Sequence, residues 1–296
     1  MKDVSDWNFY GYGVDSTLEK NELLSPERFP DEPIGHRRYI IKFPRNFELG
    51  ISWEDITEYI ASFVGRVMKM KMMEVEIVLR NGRRGALFKN FVPYKGQFLE
   101  GGTILSEYPD YDVINSSESK GEELINLGFN MIEKLDFWNE ISQEFITMIY
   151  FDILIGNQDR HPYNWMMVYY ENGDRKFSPI YDNGASLGFR FDDDKLVDYL
   201  SNITQLEKYI KKTKVKAGLF EKKQVKLNDL IKVMKKRYRN QSDTVIVKLQ
   251  QFDFEKYYHL INNQSILTEV QKEWLKLIII HRRNYILKLY EEEVET

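Results

Sequence analysis

Hydrophobic positions along this chain fall into two regimes that meet near residues 89–95. In the first, short strand-like runs surround one helix. Residues 37–43 (Arg-Arg-Tyr-Ile-Ile-Lys-Phe) are β-branched and aromatic and end at a Pro-Arg-Asn break, which predicts a strand. Residues 53–68 place Ile56, Tyr59, Ile60, Phe63, Val64 and Val67 at spacings of three and four, the period of a helix with one apolar face. Residues 74–80 predict a second strand, Asn81-Gly82 a tight hairpin turn, and residues 84–92 the returning strand.

Beyond Pro93 helical spacing takes over. Residues 121–135 and 137–155 predict helices, the second with Phe137, Ile141, Phe145 and Met148 on one face. Two short strands are expected near 165–170 and 176–180, joined by the turn Glu171-Asn172-Gly173-Asp174. From about 196 to 292 the pattern is mostly helical. One stripe runs through Leu227, Leu230, Ile231, Met234 and Tyr238, and a last helix carries Trp274, Leu277, Ile278, Arg282 and Ile286. The expected class is α+β, with a small antiparallel-sheet lobe over residues 1–90 and a larger, mostly helical lobe over residues 91–296.

Composition narrows the class without naming a chemistry. A chain of 296 residues with 43% apolar and 30% charged positions has ample core and is neither disordered nor fibrous. The absence of cysteine excludes disulfides and thiolate metal sites, and four histidines leave little for a zinc centre. The N-terminus lacks an apolar signal core, and apolar runs such as Leu277 to Ile280 fall far short of the ~20 residues that span a bilayer. The expected location is therefore the cytoplasm, with no transmembrane segment. Net charge is only −4, yet Glu207 to Asn240 holds 13 Lys/Arg against 3 Asp/Glu. Such a run is more often a solvated helical surface than a docking patch. Contact with nucleic acid, an acidic partner or an anionic membrane through residues 208–239 is the less favoured reading.

Candidate chemistry concentrates in Gly156-Asn-Gln-Asp159-Arg-His-Pro-Tyr-Asn164-Trp165 and, after the short hairpin, Ser178-Pro-Ile-Tyr-Asp182-Asn-Gly184. A carboxylate and an amide five residues apart are thus followed by a second carboxylate. Phosphoryl transfer needs such a set: one carboxylate to take or orient the proton of the attacking hydroxyl, and an amide oxygen plus another carboxylate to hold magnesium against nucleotide phosphates. Asp-x4-Asn alone is common in turns; the order of the upstream features gives it weight. Lys42, between Ile41 and Phe43, is either an edge lysine that snorkels or the ammonium fixed on the α- and β-phosphates. Glu58 on the following helix is its candidate partner, with Glu54 one turn earlier in competition. Gly11-Tyr-Gly13-Val-Asp-Ser16-Thr17 is the candidate phosphate loop, since glycines let backbone N–H groups approach phosphate oxygens, and Gly35 is the fallback. His161 reads as a packing residue. Arg160 either neutralises a phosphate or pairs with a surface carboxylate.

Several of these segments, in this order, resemble the HipA-like kinase family, the high-persistence toxin kinases. Tyr39-Ile-Ile-Lys42-Phe-Pro resembles the nucleotide-lysine strand, and Thr57-Glu58-Tyr-Ile-Ala61 the helix bearing the paired glutamate. Gly85-Ala-Leu-Phe-Lys89-Asn90-Phe91 resembles the strand entering the adenine-binding hinge. Leu154 to Asn164 resembles the catalytic loop, and Ser178 to Asp182 the metal-binding segment. The resemblance spans about residues 11–190. It implies a two-lobed protein-kinase-like fold and a serine/threonine protein kinase using ATP and Mg2+. In it Asp159 is the catalytic base, Asn164 and Asp182 bind magnesium, Lys42 holds phosphate, and Lys89, Asn90 and Phe91 flank the adenine. It further implies a protein substrate bearing Ser or Thr, autophosphorylation at Ser16 or Thr17, and an antitoxin or other regulatory partner.

Two features depart from the family. Toxin-type members carry an extra N-terminal subdomain of roughly a hundred residues, whereas here the sequence begins almost at the candidate phosphate loop, so an antitoxin would dock differently. Asn183-Gly184 stands where ordinary protein kinases have Phe-Gly, so their activation-loop switch is not expected. Asp159-Arg160-His161-x-x-Asn164 also resembles the catalytic loop of phosphatidylinositol 4-kinases, which makes a phosphoinositide kinase one alternative. A nucleotide-binding pseudokinase acting as a docking module is another.

Overall fold

The computed structural model describes residues 1–12, 19–29, 32, 34–47, 50–93 and 95–292. Strands dominate its first part: Lys2–Asp3 (β1), Asn8–Tyr12 (β2), Lys20–Leu24 (β3), Arg38–Lys42 (β4), the short pair Asn46–Phe47 (β5) and Gly50–Ile51 (β6), then Val75–Arg80 (β7) and Arg83–Lys89 (β8). One helix, Glu54–Val67 (α1), interrupts them. Asn81 and Gly82 both take positive φ, 51° and 74°, so β7 and β8 close as the tight hairpin their sequence predicts. The sheet runs β1-β7-β8-β4-β3-β2. It is antiparallel except at one edge, where β1 pairs parallel with β7. That edge strand was not legible in the sequence, and neither were β2 and β3, whose polar residues carry no clean alternation.

Helix α1 lies across the sheet. Its apolar stripe, Ile56, Ile60 and Val64, is buried, and Asp55 grips the Arg84 guanidinium of β8 with two hydrogen bonds of 2.6 and 3.1 Å. Because β3 pairs with β4 so that Lys20 faces Lys42, the end of β2 at Tyr12 and the start of β3 lie at the Lys42 end of the sheet. Of the candidate phosphate loop, Gly11 sits in β2 at a register shift, while Gly13, Ser16 and Thr17 lie outside the described residues.

After β8 the chain passes through Gln97–Glu100 (β9), then helices Gly101–Ser106 (α2), Asp110–Ser116 (α3), Gly121–Ile132 (α4) and Trp138–Ile155 (α5). The hairpin Met166–Tyr169 (β10) and Arg175–Phe177 (β11) pairs with β9 into a three-stranded sheet. The remainder is Asp193–Ser201 (α6), Ile203–Lys211 (α7), the ribbon Lys214–Val215 (β12) with Val225–Lys226 (β13), Leu227–Arg237 (α8), Arg239–Gln250 (α9), Phe254–Asn262 (α10) and Glu269–Glu291 (α11). None of the described helices is long and apolar enough to cross a membrane.

Helix α5 is the axis of this helical body. Every residue from Phe145 to Ile155 is buried, because the stretch is apolar almost all round. It stops at Gly156, whose left-handed conformation (φ 66°, ψ 42°) caps the helix and turns the chain into the loop that begins at Asn157. A Cβ at this position would strike the buried Arg282 guanidinium of α11 at 1.5 Å. Gly156→Ala should therefore destabilise the protein by about 2–4 kcal/mol, from left-handed strain plus displacement of a buried arginine. Chemical denaturation beside the wild type would measure this, and an unchanged midpoint would contradict it.

Candidate active site

The loop after α5 is organised by one buried side chain. Arg160 is 0% exposed and meets Asp152, itself 0% exposed on α5, at 3.0 Å. A single guanidinium nitrogen then donates to the carbonyls of Asn164 and Tyr181, and the other terminal nitrogen donates to Asn183 Oδ1 at 2.6 Å. Asn157 adds hydrogen bonds to Asp152 and to the Asp182 carbonyl, and its Oδ1 accepts the Asp159 N–H. Arg160 thus joins the 157–164 loop to the 181–183 segment. The sequence left its partner as a phosphate or a surface carboxylate; the partner is a buried one, since a guanidinium taken out of water needs a counter-charge beside it. Asp152 was missed, although a lone carboxylate in an apolar helix is a signal in itself.

Asp182 has a positive φ of 57°, uncommon for a residue with a Cβ. Its carboxylate accepts from Lys42 Nζ at 2.8 Å across 140 residues of sequence. Burial pushes the Asp182 carboxyl up, but the Lys42 ammonium, its hydrogen bond and Arg160 outweigh that and hold it down to about 2. Glu58 faces the same cluster without bridging to Lys42. Its Oε2 instead accepts the Asn183 N–H at 2.8 Å, while Thr57 donates to the Gly184 carbonyl at 2.7 Å. Gly184 approaches α1 closely enough that a Cβ would lie 3.3 Å from the Glu54 carbonyl. Burial pushes the Glu58 carboxyl up to about 7, with Lys42 opposing. Glu54, the competing candidate, is taken by the Ser52 hydroxyl and Arg45.

Asn164 Nδ2 donates to the Asp159 carbonyl at 2.9 Å, which leaves its Oδ1 as the free acceptor. Asp159 Oδ1 accepts from Lys216 Nζ at 2.6 Å, a contact between residues 57 apart that spacing could not reveal. Burial pushes the His161 imidazole below its ordinary value, with Asp159 opposing. The structure therefore brings Lys42, Glu58 and Asp182 together, and ties the loop of Asp159 and Asn164 to Asp182 through Arg160 and Asn157.

At the segment after β8, Lys89 pairs outward with Glu74 at 3.1 Å, and Asn90 Oδ1 accepts the Val92 N–H. Phe91 packs 5.7 Å from the Tyr181 ring, next to Asp182. A cavity of about 640 Å³ is lined by Arg38, Asn90, Phe91, Pro93 and Tyr170, but not by Lys42 or Asp182. Of the basic stretch, Lys211, Lys216, Lys223, Lys232, Lys235, Arg237 and Arg239 all have partners within the protein. More than half of its charge is therefore spent on internal contacts rather than free for a polyanion.

An oxygen-donor cluster between a small sheet and a helical body places the chain among kinase-like folds. The chain belongs to the HipA-like C-terminal domain family, which matches residues 17–241. It is 22% identical over 277 residues to the serine/threonine-protein kinase CtkA of Helicobacter pylori strain J99, covering 92% of this chain and 79% of that one. The crystal structure of the H. pylori proinflammatory kinase CtkA is similar with a TM-score of 0.77 at 19% identity, over 97% of this chain and 96% of that one. HipA of Shewanella oneidensis MR-1, solved in complex with HipB and operator DNA, is similar with a TM-score of 0.57 at 14% identity, over 98% of this chain and 70% of that one.

Two outcomes follow from this geometry. Asp152→Asn leaves a buried guanidinium without its counter-charge and should lose about 3–5 kcal/mol in urea denaturation. Glu58 gives a pH signature. Between its ordinary value near 4.5 and about 7 the folded state holds a proton that the unfolded state releases, so stability falls as pH rises through that window. The expected size across the whole window is about 3 kcal/mol. His161 contributes with the opposite sign, so the readout is the difference between wild type and Glu58→Gln. A pH-independent difference in melting temperature from pH 4.5 to 8 would contradict it.

Proposed function

We propose that this protein is an ATP- and Mg2+-dependent serine/threonine protein kinase. The Lys42–Asp182 ion pair carries the reading: a strand ammonium and a loop carboxylate, 140 residues apart, meet at 2.8 Å beside the Asp159–Asn164 loop. The donor set suits magnesium, which prefers few hard protein oxygens and completes its shell with water and phosphate. The Asp182 carboxylate and the free Asn164 Oδ1 are such donors. Among the described residues, groups of three or more His, Asp or Glu that could hold a metal by themselves are absent, so the nucleotide phosphates would supply the remaining ligands. When bound, the ion neutralises phosphate charge.

The chain's own residues divide the rest of the work. Lys42 exchanges Asp182 for the α- and β-phosphate oxygens, and Glu58 with the Asn183 N–H keeps the 182–184 segment in place. Asp159 orients a serine or threonine hydroxyl and receives its proton. The hydroxyl oxygen forms a bond to the γ-phosphorus as the bond to the β–γ bridging oxygen breaks, and ADP leaves with that electron pair. Phe91 and the neighbouring backbone of residues 89–92 border the adenine side. Ser16 and Thr17 are the proposed autophosphorylation positions. A toxin-type regulatory role with an antitoxin partner is the finer extension, drawn from the HipA likeness.

Mass spectrometry after incubation with Mg-ATP tests this. The wild type should gain phosphate on serine or threonine, with Ser16 and Thr17 the first positions to inspect, and Asp159→Ala should remain unmodified. ATP binding without any phosphorylated product over hours, including with added protein and phosphoinositide substrates, would overturn the reading in favour of a docking pseudokinase. Product on phosphoinositides alone would favour a lipid kinase.

A further inference from the structure

Lys216 reaches Asp159 from a segment with no sequence signal for catalysis, and that segment is fixed to the catalytic loop at four points. Gly218 N–H donates to the Arg160 carbonyl at 2.7 Å, and the Gly218 carbonyl accepts from Trp165 Nε1 at 2.9 Å. Gln224 Nε2 donates to the Gln158 carbonyl at 3.0 Å. Lys216 Nζ itself sits 2.6 Å from Asp159 Oδ1. Ala217 and Gly218 both take positive φ, 57° and 69°, a reversal that sets the lysine against the loop. A Cβ on Gly218 would press on Met148 at 3.0 Å and Trp165 at 3.2 Å, so the approach is close-packed.

This fixation does little for stability through the ion pair, because the Asp159 side chain is 52% exposed and half-exposed pairs are weak. Its product is geometric. The Lys216 side chain is only 17% exposed, so its stem is held and its ammonium has a defined place beside Asp159. The other cations of the site have other work: Lys42, paired with Asp182 here, serves the α- and β-phosphates, and Arg160 is held by Asp152 and the 181–183 segment. A transferring γ-phosphoryl group must come close to the Asp159 carboxylate, and two anions at that separation repel.

We propose that Lys216 is a positioning residue for Asp159: it orients one carboxylate oxygen, leaves the other for the substrate hydroxyl, and neutralises the charge that the γ-phosphoryl group would otherwise meet. The proposal rests on the kinase reading above. Lys216 takes no proton and forms no covalent bond; the hydroxyl proton goes to Asp159 and the phosphoryl group to the hydroxyl oxygen.

The test compares wild type, Lys216→Met and Lys216→Arg in steady-state phosphorylation, with Mg-ATP affinity measured by calorimetry. Lys216→Met should lower kcat about 100-fold, the scale of losing one transition-state charge partner. Its Mg-ATP affinity should stay within about threefold, because the lysine acts on the hydroxyl side. Lys216→Arg, which keeps the charge, should recover to within about tenfold of wild type. Should Lys216→Met fold poorly, Lys216→Gln carries the same comparison. Wild-type kcat in the neutral variants, or arginine no better than methionine, overturns the assignment. So does nucleotide affinity that falls in step with kcat, since that marks a structural role. A wild type that binds Mg-ATP but transfers no phosphate sinks the kinase reading and this assignment with it, whereas an active wild type indifferent to Lys216 sinks the assignment alone.

Discussion

The buried pair of Arg160 and Asp152 is the constraint on which the site depends. A guanidinium with no exposure has to satisfy its donors inside the protein, and here it does so with one carboxylate, two backbone carbonyls and one side-chain amide. Those acceptors come from three stretches of chain: the end of α5, the loop after it, and the segment after β11. Each stretch is irregular or terminal and would have little reason of its own to hold one conformation. The cost of leaving a buried charge unmatched makes their relative placement cooperative.

Charge then divides the candidate site into two sides. On one, Lys42 and Asp182 neutralise each other, and Glu58 is drawn toward the protonated state because its carboxylate is buried near another anion. On the other, Lys216 neutralises Asp159. The Glu58 and Thr57 hydrogen bonds tie helix α1 to the 182–184 segment, which carries the candidate magnesium ligand. A backbone pairing of Met73 and Lys71 with Ile180 adds a second tie between the two halves.

The elements with strong periodicity were legible. The Asn81-Gly82 hairpin, the α1 stripe and the apolar α5 could be read because burial on one face or all round leaves a regular mark. The strands β2 and β3 could not, because Asn8-Phe-Tyr-Gly-Tyr and Lys-Asn-Glu-Leu-Leu lie toward the sheet edge, where exposed and half-buried positions need not alternate. At the site, Asp159, Asn164 and Asp182 stood out by type and spacing. Arg160 is visible in the sequence but its buried partner is not, since burial is not written in a loop sequence. Lys216 was hidden among thirteen cations in its stretch, and only tertiary packing distinguishes it.

The left-handed backbone at Asp182 decides how variants at that position can be interpreted. Aspartate and asparagine visit this region more readily than residues with larger or apolar side chains, because their short polar groups hydrogen-bond locally. An asparagine there keeps the fold of the turn and removes only the negative charge. An alanine removes the charge and also burdens the backbone, so its phenotype mixes two causes. The amide and the methyl substitutions would therefore report different quantities: the first the electrostatic role of the side chain alone, the second that role together with the conformational preference of the chain.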